Sequence, residues 1–257
     1  MSNIVAIEHS WEEMDNSVKV EWNLGKRCNY NCSYCDEFTH DKFSEHLPWE
    51  RLKSTADSIL KMGNARINFT GGEPTINPDF DKLLEYCKEH GASYVGLTTN
   101  GSRPPSYYSS IIHNLDSIVF SCHMEYYRRG NIVDVIIASK SFVDYYNQNN
   151  SNKKRMHVHL MMLPTMFDEA RDLIETFKDY NIDIVLRRIR PAFLKNNVGN
   201  VFEQNSGQMR LIDGAKIAMP FCDEEVTLLW KNGTPDYNSD SGYYSKNELA
   251  FLKEYKV

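Results

Sequence analysis

The chain has 257 residues, of which 41% are hydrophobic and 25% are charged. These fractions are typical of a globular protein and exclude collagen, coiled coil and intrinsic disorder. Acidic residues outnumber basic ones by 35 to 29, which gives a formal net charge of −6 and leaves no overall attraction to nucleic acid or to an anionic membrane.

No stretch approaches the roughly 18 consecutive apolar residues that a membrane-spanning helix needs, and the first residues are polar and acidic. The six cysteines are too few for a disulfide scaffold, and three of them lie close together. We therefore expect a cytoplasmic protein with a metal site in a reducing compartment.

Short β-rich runs alternate with longer helical patterns, in the order of a parallel sheet built from βα units. The predicted strands are 18–24, 65–70, 93–98, 117–121, 156–163 and 182–188. The helices predicted among them are 49–62, 78–90, 105–113, 132–146 and 168–180. In helix 78–90, Cys87 falls on the apolar face, which predicts a buried thiol. The fold class is therefore α/β.

Beyond residue 191 the regular alternation stops, and Asn, Gly, Pro, Asp and Tyr become frequent. We expect an N-terminal segment over 1–16, a core domain over 17–191 and an irregular C-terminal extension over 192–257. A last helical pattern covers 246–255.

Three cysteines follow the first strand with the spacing C-x3-C-x2-C: Cys28, Cys32 and Cys35. Thiolates this close can wrap one face of a compact inorganic centre, and they select zinc or iron–sulfur clusters. Three ligands leave a fourth position open. A [4Fe–4S] cluster would offer it to a small molecule, whereas zinc would take a fourth ligand such as His40 or His46. The triplet alone leaves both open.

A second motif, Gly71-Gly72-Glu73-Pro74, follows the second strand, at the end where ligands bind in parallel α/β folds. With the cysteine triplet in CNYNCSYC and with TTNGS after the third strand, it resembles the radical S-adenosylmethionine (radical SAM) superfamily in motif order and spacing. The resemblance covers about residues 18–190 and implies a partial (β/α)6 TIM-like barrel with parallel strands.

The resemblance also implies a chemistry. Cys28, Cys32 and Cys35 would bind a [4Fe–4S] cluster, and SAM would chelate its unique iron. Reductive cleavage of SAM would give a 5′-deoxyadenosyl radical that abstracts hydrogen from a substrate, so the protein would be an enzyme of oxidoreductase or transferase type.

The same resemblance implies a set of SAM-binding residues. Gly71 and Gly72 would let backbone approach the methionine moiety, and Glu73 would accept a hydrogen bond from its ammonium group. The other expected cofactor-binding positions are Tyr34, Thr98, Asn100, Ser121, His123 and Arg188. His123 stands where family members often have an acidic residue.

Strand parity places some of these side chains, because alternate residues of a strand share a face. In 117–123 the apolar face holds Ile118, Phe120 and Cys122, which leaves Ser121 and His123 on the inward face. In 156–163 the same argument predicts that His157 and His159 look inward. We expect His159 to act on the substrate side.

The substrate class is the least determined part of the prediction. A resemblance to SPASM and twitch-type members slightly favours a peptide or protein over a nucleoside or sugar, although the cysteines of an auxiliary cluster are absent. The extension would then be a linker to a further domain. The expected partners are SAM, that substrate and an electron donor such as flavodoxin or ferredoxin, without nucleic acid or membrane. The alternative is a non-catalytic zinc-binding module.

Overall fold

A computed structural model describes residues 4–8, 17–35, 40–128, 131–162 and 166–189, with short strands at 224–225, 228–231, 234–236 and 243–244. These residues belong to two compact units. The first unit draws on residues 1–31, 37–120 and 131–156, and the second on 32–36, 121–130 and 157–257.

The first unit is built on parallel strands. β1 (Ile4–Glu8) pairs antiparallel with β2 (Val18–Asn23). From β2 onward the strands run parallel in the order β2, β3 (Ala65–Thr70), β4 (Tyr94–Thr99) and β5 (Ser117–His123), and the last three residues of β5 belong to the second unit. Buried and half-buried residues alternate along β3, as expected of a strand with one face in the core.

Helices connect these strands: α1 (Trp49–Leu60), α2 (Phe80–Glu89), α3 (Pro105–Ile111) and α4 (Ile132–Asn149). Two short 3₁₀ turns, Pro74–Ile76 and Ile112–Asn114, lie among them. On α2 the apolar residues recur one helical turn apart and are fully buried, namely Phe80, Leu83, Leu84 and Cys87. The burial of Cys87 confirms its predicted place in the core, and this burial raises its pKa to about 12.

The second unit contains the last two parallel strands and the elements after them. In chain order these are β6 (Arg155–Met162), α5 (Phe167–Lys178), β7 (Asp183–Arg188), β8 (Glu224–Glu225), β9 (Leu228–Lys231), β10 (Thr234–Asp236) and β11 (Tyr243–Tyr244). The first two residues of β6 belong to the first unit. β6 and β7 pair in parallel, β7 pairs antiparallel with β9 and β9 with β10, and β8 pairs with β11.

All six predicted strands are present, with ends within two residues of the predicted ones. The α/β class with parallel strands is thereby confirmed. Strand β1 and the short strands β8 to β11 were not predicted, so the extension is not wholly irregular. The predicted helix 246–255 lies outside the described residues, and the domain limits at 16 and 191 stay a prediction.

One helix begins later than predicted. The carboxamide oxygen of Asn77 accepts the N–H of Asp79 at 2.9 Å, and Pro74–Ile76 forms a 3₁₀ turn, so α2 starts at Phe80. An Asn that bonds the backbone two residues on favours a turn over a helix. Within the described part of the chain, no helix combines the length and the hydropathy of a membrane span.

Candidate metal centre and cofactor site

The loop after β3 docks on the loop after β2 through backbone hydrogen bonds. The N–H of Gly72 donates to the carbonyl of Gly25 at 2.8 Å, and the N–H of Glu73 donates to that of Arg27 at 2.9 Å. A Cβ atom on Gly72 would lie 2.3 Å from the carbonyl oxygen of Arg27, so only glycine fits there. The predicted approach of Gly71 and Gly72 to SAM stays a prediction, since the close contact seen is with the cysteine-bearing loop.

The carboxylate of Glu73 is buried and accepts four hydrogen bonds from the chain. Its Oε1 accepts the N–H and the hydroxyl of Thr75 at 3.0 and 2.7 Å and the hydroxyl of Thr99 at 2.7 Å. Its Oε2 accepts the N–H of Asn100 at 2.6 Å. We call Glu73, Thr75, Thr99 and Asn100 the Glu73 network. It ties the end of β4 to the loop after β3.

Burial and hydrogen bonding act on Glu73 in opposite directions. Only 3% of the residue is exposed, and this burial raises the pKa of its carboxyl, while the hydrogen bonds from Asn100, Thr75 and Thr99 counteract the rise. A carboxylate offers about four lone-pair sites. The expected hydrogen bond from the SAM ammonium stays a prediction, and it would have to share an oxygen that already accepts.

Asn100 extends this network to the first cysteine. Its Nδ2 donates to the Sγ of Cys28 at 3.7 Å and to the Oδ1 of Asn29 at 2.9 Å. The backbone N–H of Tyr30 also donates to Cys28 Sγ, at 3.4 Å. Cys28 is buried, and its sulfur therefore sits in a position where two N–H groups favour a thiolate acceptor.

Cys32 and Cys35 lie in the second unit, and neither forms a disulfide. The N–H of Cys35 donates to the carbonyl of Cys32 at 3.2 Å. A hydrogen bond between the two side chains, followed by burial and by repulsion from Cys35, raises the pKa of Cys32. Because two neighbouring thiolates repel each other, Cys32 and Cys35 resist ionising together. A bound cationic centre would offset this repulsion and stabilise both as thiolates.

Two side chains at the end of β5, His123 and Glu125, contact the segment that contains Cys32 and Tyr34. Nδ1 of His123 lies 3.4 Å from Cys32 Sγ and 2.5 Å from the hydroxyl oxygen of Tyr34, and the two rings stack with centroids 5.8 Å apart. The carboxylate of Glu125 accepts the N–H of Ser33 at 2.8 Å. The structure thus brings together two predicted site residues, Tyr34 and His123, and adds Glu125.

Burial along β5 follows the predicted parity. Ile118, Phe120 and Cys122 are fully buried, whereas Ser121 and His123 are half-buried. Burial raises the pKa of Cys122 to about 12, which fits an inert core thiol. Cys222 lies outside the described residues.

β6 alternates in the same way. Val158, Leu160 and Met162 are fully buried, and His157 and His159 stand half-buried on the other face. His157 Nδ1 lies 3.5 Å from Asp183 Oδ2.

An arginine on β7 shares the face of His159. Met161 pairs with Arg187, so Arg187 lies on the same side as His159. Burial, and then the charge of Arg187, lower the pKa of His159 to about 4. The predicted Arg188 has a described backbone only, and its side chain lies outside the described residues, as does Arg190.

Sequence reasoning missed three residues that make these contacts: Thr75, Thr99 and Glu125. Thr98, predicted as a site residue, is half-buried, and its neighbour Thr99 is the one that bonds Glu73. Because β4 ends one residue later than predicted, Thr99 still belongs to the strand. Glu125 lies in the turn that follows β5, where strand parity makes no prediction.

The sequence leaves two metal centres open for the cysteine triplet, a [4Fe–4S] cluster and a zinc site. In the described part of the chain, no group of three His, Cys, Asp or Glu side chains is arranged as a ready-made metal site. The assignment therefore depends on donor chemistry. Cys28, which forms no disulfide and whose sulfur receives two N–H donors, fits an iron–sulfur cluster, because such hydrogen bonds stabilise sulfur ligands.

Comparison with known proteins supports the predicted family. Residues 22–125, which hold the cysteine triplet, the Glu73 network and His123, match the family model of the radical SAM superfamily. This stretch of the chain is similar to radical SAM proteins. The predicted family is confirmed, and the cofactors of this family are a [4Fe–4S] cluster and SAM, as expected from the sequence.

Two curated relatives illustrate the match. Fe-coproporphyrin III synthase of Methanosarcina barkeri is 36% identical over 89 residues, which cover 34% of this chain and 22% of the relative. Mycofactocin maturase MftC of Mycobacterium tuberculosis is 31% identical over 97 residues, which cover 38% of this chain and 25% of the relative. The matched stretch thus spans about a quarter of the length of these relatives.

Solved structures also resemble this chain. Streptococcus suis SuiB bound to the precursor peptide SuiA is 16% identical, with a TM-score of 0.48 over 74% of this chain and 46% of that one.

Proposed function

We propose that this chain is the cluster-binding and SAM-binding part of a radical SAM enzyme. Cys28, Cys32 and Cys35 hold the [4Fe–4S] cluster, and the position without a protein ligand receives the amino and carboxylate groups of SAM. The observation that carries the proposal is the pair of N–H donors directed at the sulfur of Cys28, one of them from the residue that also bonds Glu73.

When bound, the cluster supplies the electron that cleaves SAM to the 5′-deoxyadenosyl radical, which abstracts hydrogen from the substrate. The chain's own residues bind, orient and shield. The Glu73 network holds the loop after β3 against the loop that leads to Cys28. The residues proposed to contact SAM are Tyr34, Gly71, Gly72, Glu73, Thr98, Asn100, Ser121 and His123, with Arg188 as a carboxylate partner.

The face that Arg187 and His159 share is proposed for the substrate side. The guanidinium group of Arg187 pairs well with a carboxylate and suits a substrate that carries one, such as a peptide. His159, whose pKa is lowered to about 4, is neutral at pH 7 and offers the substrate a hydrogen-bonding group without charge. A small-molecule substrate is the second candidate, because Fe-coproporphyrin III synthase is among the relatives.

The test is to replace the cysteines one at a time. After anaerobic reconstitution, the brown cluster that absorbs at about 400 nm should be lost in each of Cys28→Ala, Cys32→Ala and Cys35→Ala. Each variant should also fail to produce 5′-deoxyadenosine with dithionite. Cys87→Ala, a core thiol, is the control and should keep both. Full cluster iron in Cys32→Ala would falsify the proposed ligand set, and bound zinc without iron in the wild type would favour a zinc module.

The electron donor is tested separately. Reduced flavodoxin or ferredoxin should replace dithionite in supporting 5′-deoxyadenosine formation by the wild type. If dithionite works and neither protein does, the proposed donors are wrong while the proposed reaction stands.

A further inference from the structure

Two side chains at the end of β5 hold the segment from Cys32 to Cys35, which we call the cysteine loop. His123 contacts both the sulfur of Cys32 and the hydroxyl of Tyr34 through a single atom, Nδ1. Glu125 accepts the backbone N–H of Ser33, between these two residues. Three consecutive residues of the cysteine loop are therefore fixed by two residues of one strand end.

Both side chains belong to one turn at the end of β5. The N–H of Tyr126 donates to the carbonyl of His123 at 2.8 Å, which closes the turn over residues 123–126. Met124 lies between the two side chains, is buried, and donates its N–H to the carbonyl of Met161 at 3.2 Å, so the turn is anchored while His123 and Glu125 contact the cysteine loop. The ring of His123 is held further by its stacking on Tyr34, with an interplanar angle of 21°.

We propose that His123 and Glu125 are positioning residues of the cysteine loop, and that His123 donates a hydrogen bond to the sulfur of Cys32 when that sulfur holds the cluster. The inference extends the proposed function, in which Cys32 is a ligand. A thiolate bound to iron carries no proton, so the hydrogen of this contact comes from Nδ1 of His123. The hydroxyl of Tyr34 accepts from the same N–H.

Such a hydrogen bond has a measurable consequence. Hydrogen bonds to cluster sulfurs stabilise the reduced, more negative state and raise the reduction potential. Glu125 acts differently, because it touches backbone and not sulfur. Its carboxylate makes a charge-assisted hydrogen bond that keeps the cysteine loop in its ligating conformation. Potential and cluster retention therefore report on the two residues separately.

The first experiment compares His123→Phe with His123→Asn by EPR-monitored redox titration of the reconstituted protein. Phe keeps a ring that stacks on Tyr34 but removes Nδ1. The ratio of reduced to oxidised cluster at a given potential should therefore fall about tenfold, which corresponds to a midpoint potential lower by about 59 mV for a one-electron couple. The Nδ2 of Asn can occupy the place of Nδ1, so His123→Asn should restore most of the difference.

A midpoint potential of His123→Phe equal to that of the wild type overturns the hydrogen bond to Cys32. If His123→Phe fails to load a cluster, His123→Asn decides: a loaded protein with a potential near that of the wild type supports the proposal. An empty His123→Asn protein overturns it.

The second experiment measures the rate at which an iron chelator removes the cluster. Glu125→Ala should lose iron about tenfold faster than the wild type, since a charged hydrogen bond to Ser33 is gone. Glu125→Gln keeps an acceptor oxygen and should stay near the wild type. Glu175→Ala, an exposed glutamate on α5, is the matched control. Equal rates for Glu125→Ala and Glu175→Ala overturn the role of Glu125.

Cys32→Ala separates failure of this inference from failure of the proposed function. A cluster that survives in Cys32→Ala removes the proposed function itself. A cluster that is lost in Cys32→Ala, while His123→Phe and Glu125→Ala behave as the wild type, leaves the proposed function intact and removes only the positioning roles.

Discussion

The surroundings of Cys28 and of Cys32 are built in different ways. Cys28 is reached by the Glu73 network, in which a buried carboxylate has four donors and a glycine is locked between backbone oxygens. Cys32 is reached by His123, a half-buried side chain at a strand end. Cys32 is itself as buried as Cys28, so the two sites differ in the side chains that reach them and not in burial. We expect a substitution at half-buried His123 to disturb the fold less than one in the Glu73 network.

The largest expected effect tests the Cys28 side. In Gly72→Ala the new Cβ would meet the carbonyl oxygens of Lys26 and Arg27 at 2.4 and 2.3 Å, and backbone atoms cannot move aside easily. We expect the free energy of unfolding to fall by about 3 kcal/mol in urea denaturation.

Gly91→Ala is the control for Gly72→Ala. Gly91 has a φ of +93° and an added methyl group would meet nothing within 4 Å, so this variant measures backbone strain alone. If the free energy of unfolding falls no more in Gly72→Ala than in Gly91→Ala, Gly72 is not held tightly by the backbone oxygens. The surroundings of Cys28 would then be no more rigid than those of Cys32.

Glu73→Gln should have the next largest effect. An amide nitrogen would face one of the four donors, so we expect a loss of about 2 kcal/mol in the free energy of unfolding. Thr99→Val removes one donor without changing the carboxylate and should cost about 1 kcal/mol.

The same Glu73 variant tests SAM binding. If Glu73 also meets the SAM ammonium, calorimetry should show weaker SAM binding in Glu73→Gln than in Thr99→Val. Equal SAM affinity in these two variants would leave Glu73 with the network role alone.

A pH experiment addresses the second unit. Burial lowers the pKa of His159 to about 4 in the folded protein, against about 6.5 for an unperturbed histidine. The unfolded chain then binds the proton more readily, so stability falls as the pH drops from about 6.5 to about 4. Denaturation curves give the free energy of unfolding at pH 7 and at pH 4. The loss of this free energy between the two pH values should be about 1.5 kcal/mol smaller in His159→Gln than in the wild type.

The neighbours of His159 sharpen that test. Arg187 and His157 contribute repulsion, so Arg187→Gln should raise the pKa of His159 in NMR titrations without restoring it fully, because burial is the larger cause. A midpoint of His159 near 6.5 in the wild type would contradict its burial.

The smallest effect is expected away from both regions. Cys87→Ala removes one sulfur atom from the core face of α2 and should cost about 1 kcal/mol of stability. Cluster content and reduction potential should match the wild type. A changed reduction potential in Cys87→Ala would mean that a change in core packing alone shifts this potential. The potentials of the His123 variants would then no longer report on the hydrogen bond to Cys32.

Several parts of this molecule could be predicted from the sequence because periodicity encodes them. The strands, the burial of Cys87 and Cys122 and the faces of β5 and β6 follow from periods of two and 3.6. The partners of Glu73 could not be predicted, because they depend on where β4 ends to within one residue. That single residue separates Thr98 from Thr99.

The contact between His123 and Cys32 was also beyond sequence reasoning. The substitution of an acidic residue by histidine was visible, and it cast doubt on a SAM contact without suggesting another one. The residues are far apart in sequence, and their approach depends on the path of the loop after β2. The residue two positions on, Glu125, was overlooked because the predicted strand stopped at 121.

The alternation along β5 constrains how this segment can change in evolution. Cys122 is buried within β5, whereas Ser121 and His123 lie half-buried on its other face. Inserting or deleting one residue within β5 would exchange the two faces, and a hydroxyl and an imidazole would enter the core. Substitutions, or insertions of two residues, preserve the alternation. The number of residues between Phe120 and His123 should therefore be as invariant among orthologues as the side chains themselves.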